Sequence, residues 1–281
     1  LLLETKDNPG FRVGRILEKV GQKGQDTCEL FFDGAHVALD NVLGGVEVPA
    51  GALVIVSPWI VHRDPRAWPD PERFDYSMHG LARFFARFLE RMEIGEYSLA
   101  VHDWGGVALI EAQAEPDRVC RLVVVNAVPL LPGYRWHRLA RIWRAPLLGE
   151  IAMGLTSRSI ALRLAREARA GGQPLPDATF DSIWDHFDHG TQRAILKLYR
   201  GAPPKQLEEA GERFELLTAP TLVIWGEQDP YIPASFGELY AKTLPDARLE
   251  LLPDAGHWPW LDRPDVIEMT ANFLAGVESE S

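Results

Sequence analysis

The sequence predicts an α/β fold with a mostly parallel sheet, and two features indicate it. Short, continuous runs of apolar and β-branched residues are bounded by turn residues, which is typical of strands buried on both faces. Amphipathic helical patterns alternate with these runs over short links, as expected when helices cross between parallel strands. The predicted strands are residues 52–56, 97–101, 122–125, 221–225 and 247–252.

The helical patterns divide the chain further. Segment 79–92 places large apolar side chains at i, i+3 and i+4, with charged residues opposite, which predicts a surface helix. Residues 130–216 contain no strand-like run and many Arg and Trp residues, so we predict a helical insertion between two strands, in which Trp136 and Trp143 share one helix face. Further helices are predicted at 107–114, 236–244 and 264–274. The predicted regions are an atypical N-terminal segment at 1–76, a core at 77–129 and 217–281, and the insertion at 130–216.

Composition excludes several classes of function. The 281 residues include 29 basic and 40 acidic side chains, and a net charge of −11 disfavours binding to nucleic acid. No apolar run reaches about 18 residues, so we expect no membrane-spanning helix. Cys28 and Cys120 cannot form a disulfide framework, and the first residues lack the basic start of a signal peptide. We therefore expect a cytoplasmic protein, and the sequence leaves its oligomeric state open.

Three residues that follow predicted strands point to catalysis. Asp103 comes directly after a strand and before Trp-Gly-Gly and a helix, a sharp turn that lifts a nucleophile above the sheet edge. Gly105 is a small residue that lets strand and helix pack closely there, and the backbone N–H of Trp104 would point at the reacting oxygen. Asp229 and His257 follow later strands, and nucleophile, acid, histidine is the chain order expected for such a site.

A carboxylate nucleophile restricts the chemistry. It attacks an epoxide, or an sp3 carbon that carries a leaving group, and forms an alkyl ester of Asp103. His257 would activate the water that hydrolyses this ester, and Asp229 would accept the other ring N–H and fix the tautomer. Asp103 could instead be an N-cap, Asp229 could simply begin a turn, and Asn126 is an alternative acid.

Residues 77–278 resemble the α/β-hydrolase family, most closely its branch with an aspartate nucleophile, the epoxide hydrolases and haloalkane dehalogenases. The motifs are Val-His-Asp-Trp-Gly-Gly, Trp-Gly-Glu-Gln-Asp-Pro-Tyr-Ile-Pro and Asp-Ala-Gly-His-Trp-Pro-Trp-Leu-Asp-Arg-Pro. The resemblance implies that 130–216 is a helical cap and that no cofactor is needed. In dehalogenases a Trp after the nucleophile often holds the departing halide, and Trp104 matches it. In epoxide hydrolases cap tyrosines protonate the epoxide oxygen, and Tyr134 and Tyr199 lie in that region.

The segment before Met78 departs from this family. It lacks the His-Gly loop that donates the second oxyanion-hole N–H. Residues 46–75 instead resemble a late segment of cytochrome haem-thiolate monooxygenases, with the motifs Val-Pro-Ala-Gly-Ala, His-Arg-Asp-Pro and Trp-Pro-Asp-Pro-Glu-Arg-Phe. Neither Cys28 nor Cys120 lies in a haem-binding loop, so no haem is expected.

The predicted function is hydrolysis of a small apolar molecule through an aspartyl ester, as in epoxide hydrolases. A haloalkane dehalogenase is the first alternative. An inactive fusion or scaffold is the second, because the His-Gly loop is missing. Loss of one oxyanion donor costs about 3 kcal/mol in acyl transfer, which is large but not fatal. A haem-dependent oxygenase fragment is the least favoured.

Overall fold

The chain forms two compact units, residues 1–49 and 50–281. The computed structural model describes residues 11–16, 28–32, 52–54, 75–92 and 94–276, the first three ranges as backbone strands. In the first unit, β1 (Phe11–Ile16) pairs antiparallel with β2 (Cys28–Phe32). The second unit holds the sheet and the helices considered below.

The central sheet confirms the predicted α/β fold. Five strands are hydrogen-bonded in the order β3–β4–β5–β6–β7, and every neighbouring pair is parallel. The strands are β3 (Ala52–Val54), β4 (Tyr97–Asp103), β5 (Val119–Ala127), β6 (Thr221–Gly226) and β7 (Ala247–Leu252). Each overlaps a strand predicted from the sequence; the predicted end of the first, residues 55–56, lies outside the described residues.

Helices connect the strands and also fill the interval between β5 and β6. They are α1 (Met78–Arg91), α2 (Ala108–Ala114), α3 (Arg138–Arg144), α4 (Leu148–Leu155), α5 (Arg158–Glu167), α6 (Asp177–Asp185), α7 (His189–Arg200), α8 (Pro204–Glu209), α9 (Ser235–Thr243), α10 (Pro259–Asp262) and α11 (Asp265–Ala275). All helices predicted outside the insertion are confirmed to within about two residues. Among the residues that the structure describes, no helix combines the length and apolarity needed to cross a bilayer.

The sheet is buried on both faces because its strands alternate side chains between two apolar clusters. Leu122 and Val124 of β5 point into the larger cluster, which includes Phe85 on the apolar face of α1. Val123 and Val125 point the other way, towards Val266 of α11. This burial on both faces explains why the strands appear in the sequence as continuous rather than alternating apolar runs.

The described residues between β5 and β6 form helices α3–α8 and no strand, in agreement with the predicted insertion; its boundaries at 130 and 216 stay a prediction. The expectation that Trp136 and Trp143 share a helix face is wrong, because α3 begins at Arg138, after the N-cap His137. Both indoles instead contact the ring of Tyr199, with centroids 5.0 Å apart in each case.

Candidate active site

Asp103 occupies a strained turn at the carboxyl end of β4. Its backbone has φ 46° and ψ −123°, a conformation that residues other than glycine rarely adopt, and a 3-10 turn (Trp104–Val107) follows at once. The side chain makes no N-cap hydrogen bond, so the interpretation of Asp103 as a helix cap is not supported. Strain of this kind is typical of a turn that presents a nucleophile above a sheet.

Close packing at this turn depends on Gly106 more than on Gly105. A Cβ at Gly106 would lie 3.2 Å from the carbonyl oxygen of Val128, just beyond the end of β5. A Cβ at Gly105 would make only ordinary contact with Val101, at 3.8 Å. The turn therefore needs small residues, as predicted, but Gly106 is more constrained than the predicted Gly105.

The structure brings Asp103, Asp229 and His257 together at the carboxyl ends of β4, β6 and β7. His257 Nδ1 lies 2.8 Å from Asp229 Oδ2, and His257 Nε2 lies 3.9 Å from Asp103 Oδ1. The second separation exceeds a hydrogen bond, although such contacts often tighten when substrate binds. The His257 side chain is 6% exposed and that of Asp229 is fully buried, whereas the Asp103 carboxylate is 34% exposed. The arrangement joins an accessible carboxylate to a buried acid through one imidazole.

The carboxylate of Asp229 accepts four hydrogen bonds, two at each oxygen. Oδ1 accepts the backbone N–H groups of Tyr231 (2.7 Å) and Ile232 (3.1 Å). Oδ2 accepts the side-chain amide of Asn126 (2.7 Å) in addition to His257. Asn126 is buried with φ 36°, and its Oδ1 accepts the N–H of Gly226 (2.9 Å). Asn126 thus contacts Asp229 rather than the histidine, so it orients the acid instead of replacing it.

The charges of the site are coupled. Burial disfavours the imidazolium of His257, but its interactions with the nearby Asp103 and the hydrogen-bonded Asp229 outweigh burial and raise its pKa to about 10. Burial opposes the charged form of Asp103 too, yet its interaction with His257 holds the pKa of this carboxyl below its usual value. Both shifts favour a charged pair in the free site, the imidazolium of His257 with the carboxylate of Asp103.

His102 supports the loop that carries His257. Its Nε2 lies 2.8 Å from the carbonyl oxygen of His257, and burial, followed by the charge of His257, lowers its pKa to about 4. The neutral ring therefore donates its Nε2 proton to that carbonyl. The backbone N–H of His257 in turn donates to the carbonyl oxygen of Ala168, which lies between α5 and α6 (2.8 Å). The insertion thereby helps to fix the position of the histidine.

A cavity of about 500 Å³ opens onto Asp103 and His257. Most of its wall is apolar and comes from the insertion, including Met153, Leu155, Ile160, Leu164, Phe180 and Ile183. The polar groups in the wall are mainly Tyr134, Tyr199, Tyr231 and His137. Within the described part of the chain, no Lys or Arg lines this cavity. Its chemistry suits a neutral, largely apolar molecule.

Of the three residues predicted to bind substrate, two line the cavity and one lies behind its wall. Tyr134 and Tyr199 line the cavity, and the buried hydroxyl of Tyr134 has no hydrogen-bond partner among the described residues. The indole of Trp104 is not part of the cavity wall. It stacks on Trp136 (5.4 Å between centroids) and meets Tyr199 edge-on (5.0 Å), and its buried Nε1 makes no hydrogen bond to a described residue.

Sequence reasoning missed His137 and Tyr231. Tyr231 is two residues after Asp229, and its ring lies edge-on to that of His257 at 5.1 Å. A histidine before an amphipathic segment could have been recognised as an N-cap, but nothing in the local sequence predicts that it lines the same cavity as Asp103. The sequence before Met78 lacks the His-Gly loop that would donate a second oxyanion-hole N–H, and residues 55–74, which follow β3 in the chain, lie outside the described residues.

Gly226, the last residue of β6, sets the spacing between the loops that carry Asp229 and His257. A Cβ there would lie 2.2 Å from the carbonyl oxygen of Gly256 and 2.6 Å from that of Ala255. We expect Gly226→Ala to lower the free energy of unfolding by about 1–3 kcal/mol, because backbone must move. Chemical denaturation measures this change.

The control for Gly226→Ala is Gly154→Ala in α4, where an added Cβ meets nothing within 4 Å. In this helix the alanine should be neutral or stabilising by up to about 1 kcal/mol. Equal unfolding curves for the two variants would show that the close approach at Gly226 does not constrain the site.

Comparison with known proteins places the chain in a family. A family model described as "Alpha/beta hydrolase family" matches residues 62–269. A shorter match, to a model described as "Cytochrome P450", covers residues 36–79, in agreement with the second resemblance.

Individual relatives are distant. Epoxide hydrolase 2 of Caenorhabditis elegans is 22% identical over 215 residues, which are 69% of this chain and 59% of that protein, so the chain spans less than two thirds of that relative's length. A 2-hydroxy-6-oxononadienedioate/2-hydroxy-6-oxononatrienedioate hydrolase of Paraburkholderia xenovorans is 27% identical over 217 residues, 73% of this chain and 72% of that one. The fold is shared with a loop variant of a haloalkane dehalogenase from Bradyrhizobium elkanii, with TM-score 0.61, 20% identity and coverage of 73% and 75%. By its sheet, its strained aspartate turn and the family model that spans most of its length, this chain belongs to the alpha/beta hydrolase family.

Proposed function

We propose that this chain hydrolyses neutral, apolar epoxides through an alkyl ester of Asp103. The observation that carries the proposal is a carboxylate on the strained turn, 3.9 Å from Nε2 of His257, at a cavity without lysine or arginine among its described wall residues. A carboxylate attacks a strained, neutral electrophile without first losing a proton, and the resulting ester can be hydrolysed.

In the first step, an Asp103 oxygen attacks a ring carbon of the epoxide and the carbon–oxygen bond of the ring breaks. The released oxygen takes a proton from the phenol of Tyr134 or Tyr199, both in the cavity wall. Burial, followed by the charge of Asp103, raises the pKa of both phenols, so both hold their protons at neutral pH. The imidazolium of His257 then restores the phenol's proton, and the step ends with a hydroxyalkyl ester and a neutral imidazole.

Formation of the ester itself converts His257 into a base. The ester carries no charge on Asp103, so one of the two carboxylates that raise the pKa of His257 is lost. The neutral imidazole accepts a proton from water, and the hydroxide adds to the ester carbonyl. Collapse releases the alkoxide, which takes the carboxyl proton and leaves as a diol. Asp103 and His257 return to their ionised forms.

One oxyanion donor is present at the turn. The backbone N–H of Trp104 interacts with the Asp103 carboxylate and contributes to lowering its pKa. In the ester, the same N–H would donate to the carbonyl oxygen of Asp103 and stabilise the tetrahedral intermediate. A second donor would have to come from residues beyond those described.

Dehalogenation is the alternative that a specific observation favours. The indole Nε1 of Trp104 is buried without a geometric hydrogen-bond partner among the described residues. Trp104 packs against Trp136 and Tyr199 of the cavity wall, so a departing halide would reach this N–H once those rings shift. Hydrolysis of a dioate, the substrate named for the Paraburkholderia relative, is less favoured, because two substrate carboxylates need cationic partners. Arg135, Arg141 and Arg144 line a second groove, which shares Tyr134 and Trp136 with the cavity, rather than the cavity itself.

The proposal is tested by following diol formation from styrene oxide and bromide release from 1-bromo-2-phenylethane. A single turnover of the epoxide in H₂¹⁸O should place the label in the Asp103 peptide and not in the diol, because water attacks the ester carbonyl. Label in the diol would mean direct attack by water on the epoxide. Bromide release without diol formation would select the dehalogenase, and neither product would select the inactive scaffold.

The two steps should differ in their dependence on pH. The pKa of Asp103 is lowered, so ester formation persists in mild acid, whereas ester hydrolysis needs neutral His257. Below the pKa of His257 in the ester, which lies under its value of about 10 in the free protein, hydrolysis should slow about tenfold per pH unit. Rapid quenching and intact-protein mass spectrometry at pH 5 and pH 8 should find more adduct at pH 5. An adduct fraction that stays constant or falls on acidification would contradict this assignment of His257.

A further inference from the structure

His137 lies in the wall of the catalytic cavity, and the chemistry proposed above does not use it. We propose that its Nε2–H donates a hydrogen bond to a neutral oxygen of the ligand and so selects oxygenated apolar molecules over hydrocarbons of the same shape. The inference rests on the proposed function in taking this cavity as the substrate site.

The fold fixes which nitrogen of His137 carries the proton. His137 is the N-cap of α3, and its Nδ1 accepts the backbone N–H of Ala140 at 3.4 Å. An accepting nitrogen must be unprotonated, so in the neutral ring the proton is on Nε2. Nε2 is on the opposite edge of the ring from the helix and has no hydrogen-bond partner among the described residues.

The surroundings keep the ring neutral. Burial lowers the pKa of His137 to about 4, and the charged groups that act on it are Asp103, Asp229, His257 and Arg141. Its ring packs 4.8 Å from that of Tyr231, which in turn contacts His257. A neutral donor in an apolar wall loses free energy if a ligand covers it without offering an acceptor. A hydrocarbon would impose that loss, whereas an ether, epoxide, ketone or alcohol oxygen would avoid it.

Two substitutions separate this role from helix capping. His137→Asn keeps an acceptor where Nδ1 caps α3 but removes the donor at the Nε2 position. His137→Gln carries an amide N–H to the Nε2 position but is a poor N-cap. A capping role predicts that Asn behaves as wild type and Gln does not, and a donor role predicts the reverse.

The probes are acetophenone and α-methylstyrene. They have nearly the same shape, but acetophenone carries a carbonyl oxygen where α-methylstyrene carries a CH₂ group, so only acetophenone offers a hydrogen-bond acceptor. Binding is followed by quenching of tryptophan fluorescence, since Trp136, Trp143, Trp184 and Trp258 line the cavity. We expect wild type and His137→Gln to prefer acetophenone, and His137→Asn to lose about three- to tenfold of that preference.

The proposal is overturned if wild type shows no preference, if acetophenone does not bind, or if His137→Asn keeps the wild-type preference. Equal losses in both variants would also overturn it. These titrations require no turnover, so they can succeed even if Asp103 forms no ester. Conversely, diol formation with an unchanged preference in His137→Asn would leave the proposed function standing and remove only this inference.

Discussion

His257→Gln is expected to stop the enzyme with its substrate bound as an ester of Asp103. Glutamine cannot take a proton from water, whereas attack on the epoxide needs only an ionised Asp103. Because the variant loses the His257 interactions that lower the pKa of Asp103, the incubation is run at pH 8, where the carboxyl stays ionised and water can return a proton to the phenol. Loss of a general base slows its step by about 10²–10⁴-fold. Intact-protein mass spectrometry after incubation with styrene oxide should show a mass gain equal to one epoxide, and peptide mapping should place it on Asp103.

The control for this variant is His79→Gln. His79 is an exposed residue of α1, so its glutamine variant should turn over as wild type and carry no adduct. Diol formation by His257→Gln at the wild-type rate, or an adduct on a residue other than Asp103, would contradict the assignment of His257 as the base for ester hydrolysis.

The fold was predictable because its strongest determinants are local. Strands β5 and β6 are buried along nearly their whole length, and this two-sided burial requires the continuous apolar runs seen in the sequence. Helix α1 is amphipathic and is preceded by the N-cap Ser77, whose hydroxyl oxygen accepts the N–H of Gly80. Such patterns need no knowledge of distant residues.

The supporting groups of the site were less predictable because they depend on which strands are neighbours. Asn126 could be placed at the end of β5, but its contact with Asp229 arises only because β5 pairs with β6. His137 can be recognised locally as a helix cap, yet its place in the cavity wall depends on how α3 packs beside Tyr231 and Tyr199. Sequence patterns thus indicate the proposed catalytic residues better than the residues that orient them or that line the cavity.

Asp103→Asn is expected to lower turnover by about 10⁴-fold or more, because a neutral amide is a poor nucleophile and no other carboxylate of the described cavity wall is available. A second readout follows from the coupling in the site. Asp103 is one of the two carboxylates that raise the pKa of His257 from its usual value to about 10, so that pKa should fall in the variant. NMR titration of the imidazole measures the shift.

Asp246→Asn is the matched control for Asp103→Asn, since Asp246 is an exposed carboxylate before β7. It should leave both turnover and the His257 titration unchanged. Acetophenone binding that persists in Asp103→Asn would show that the cavity is intact and that only the chemistry is lost. If instead Asp103→Asn turned over at the wild-type rate with the His257 titration shifted, the carboxylate would be an electrostatic partner of the histidine and not the nucleophile.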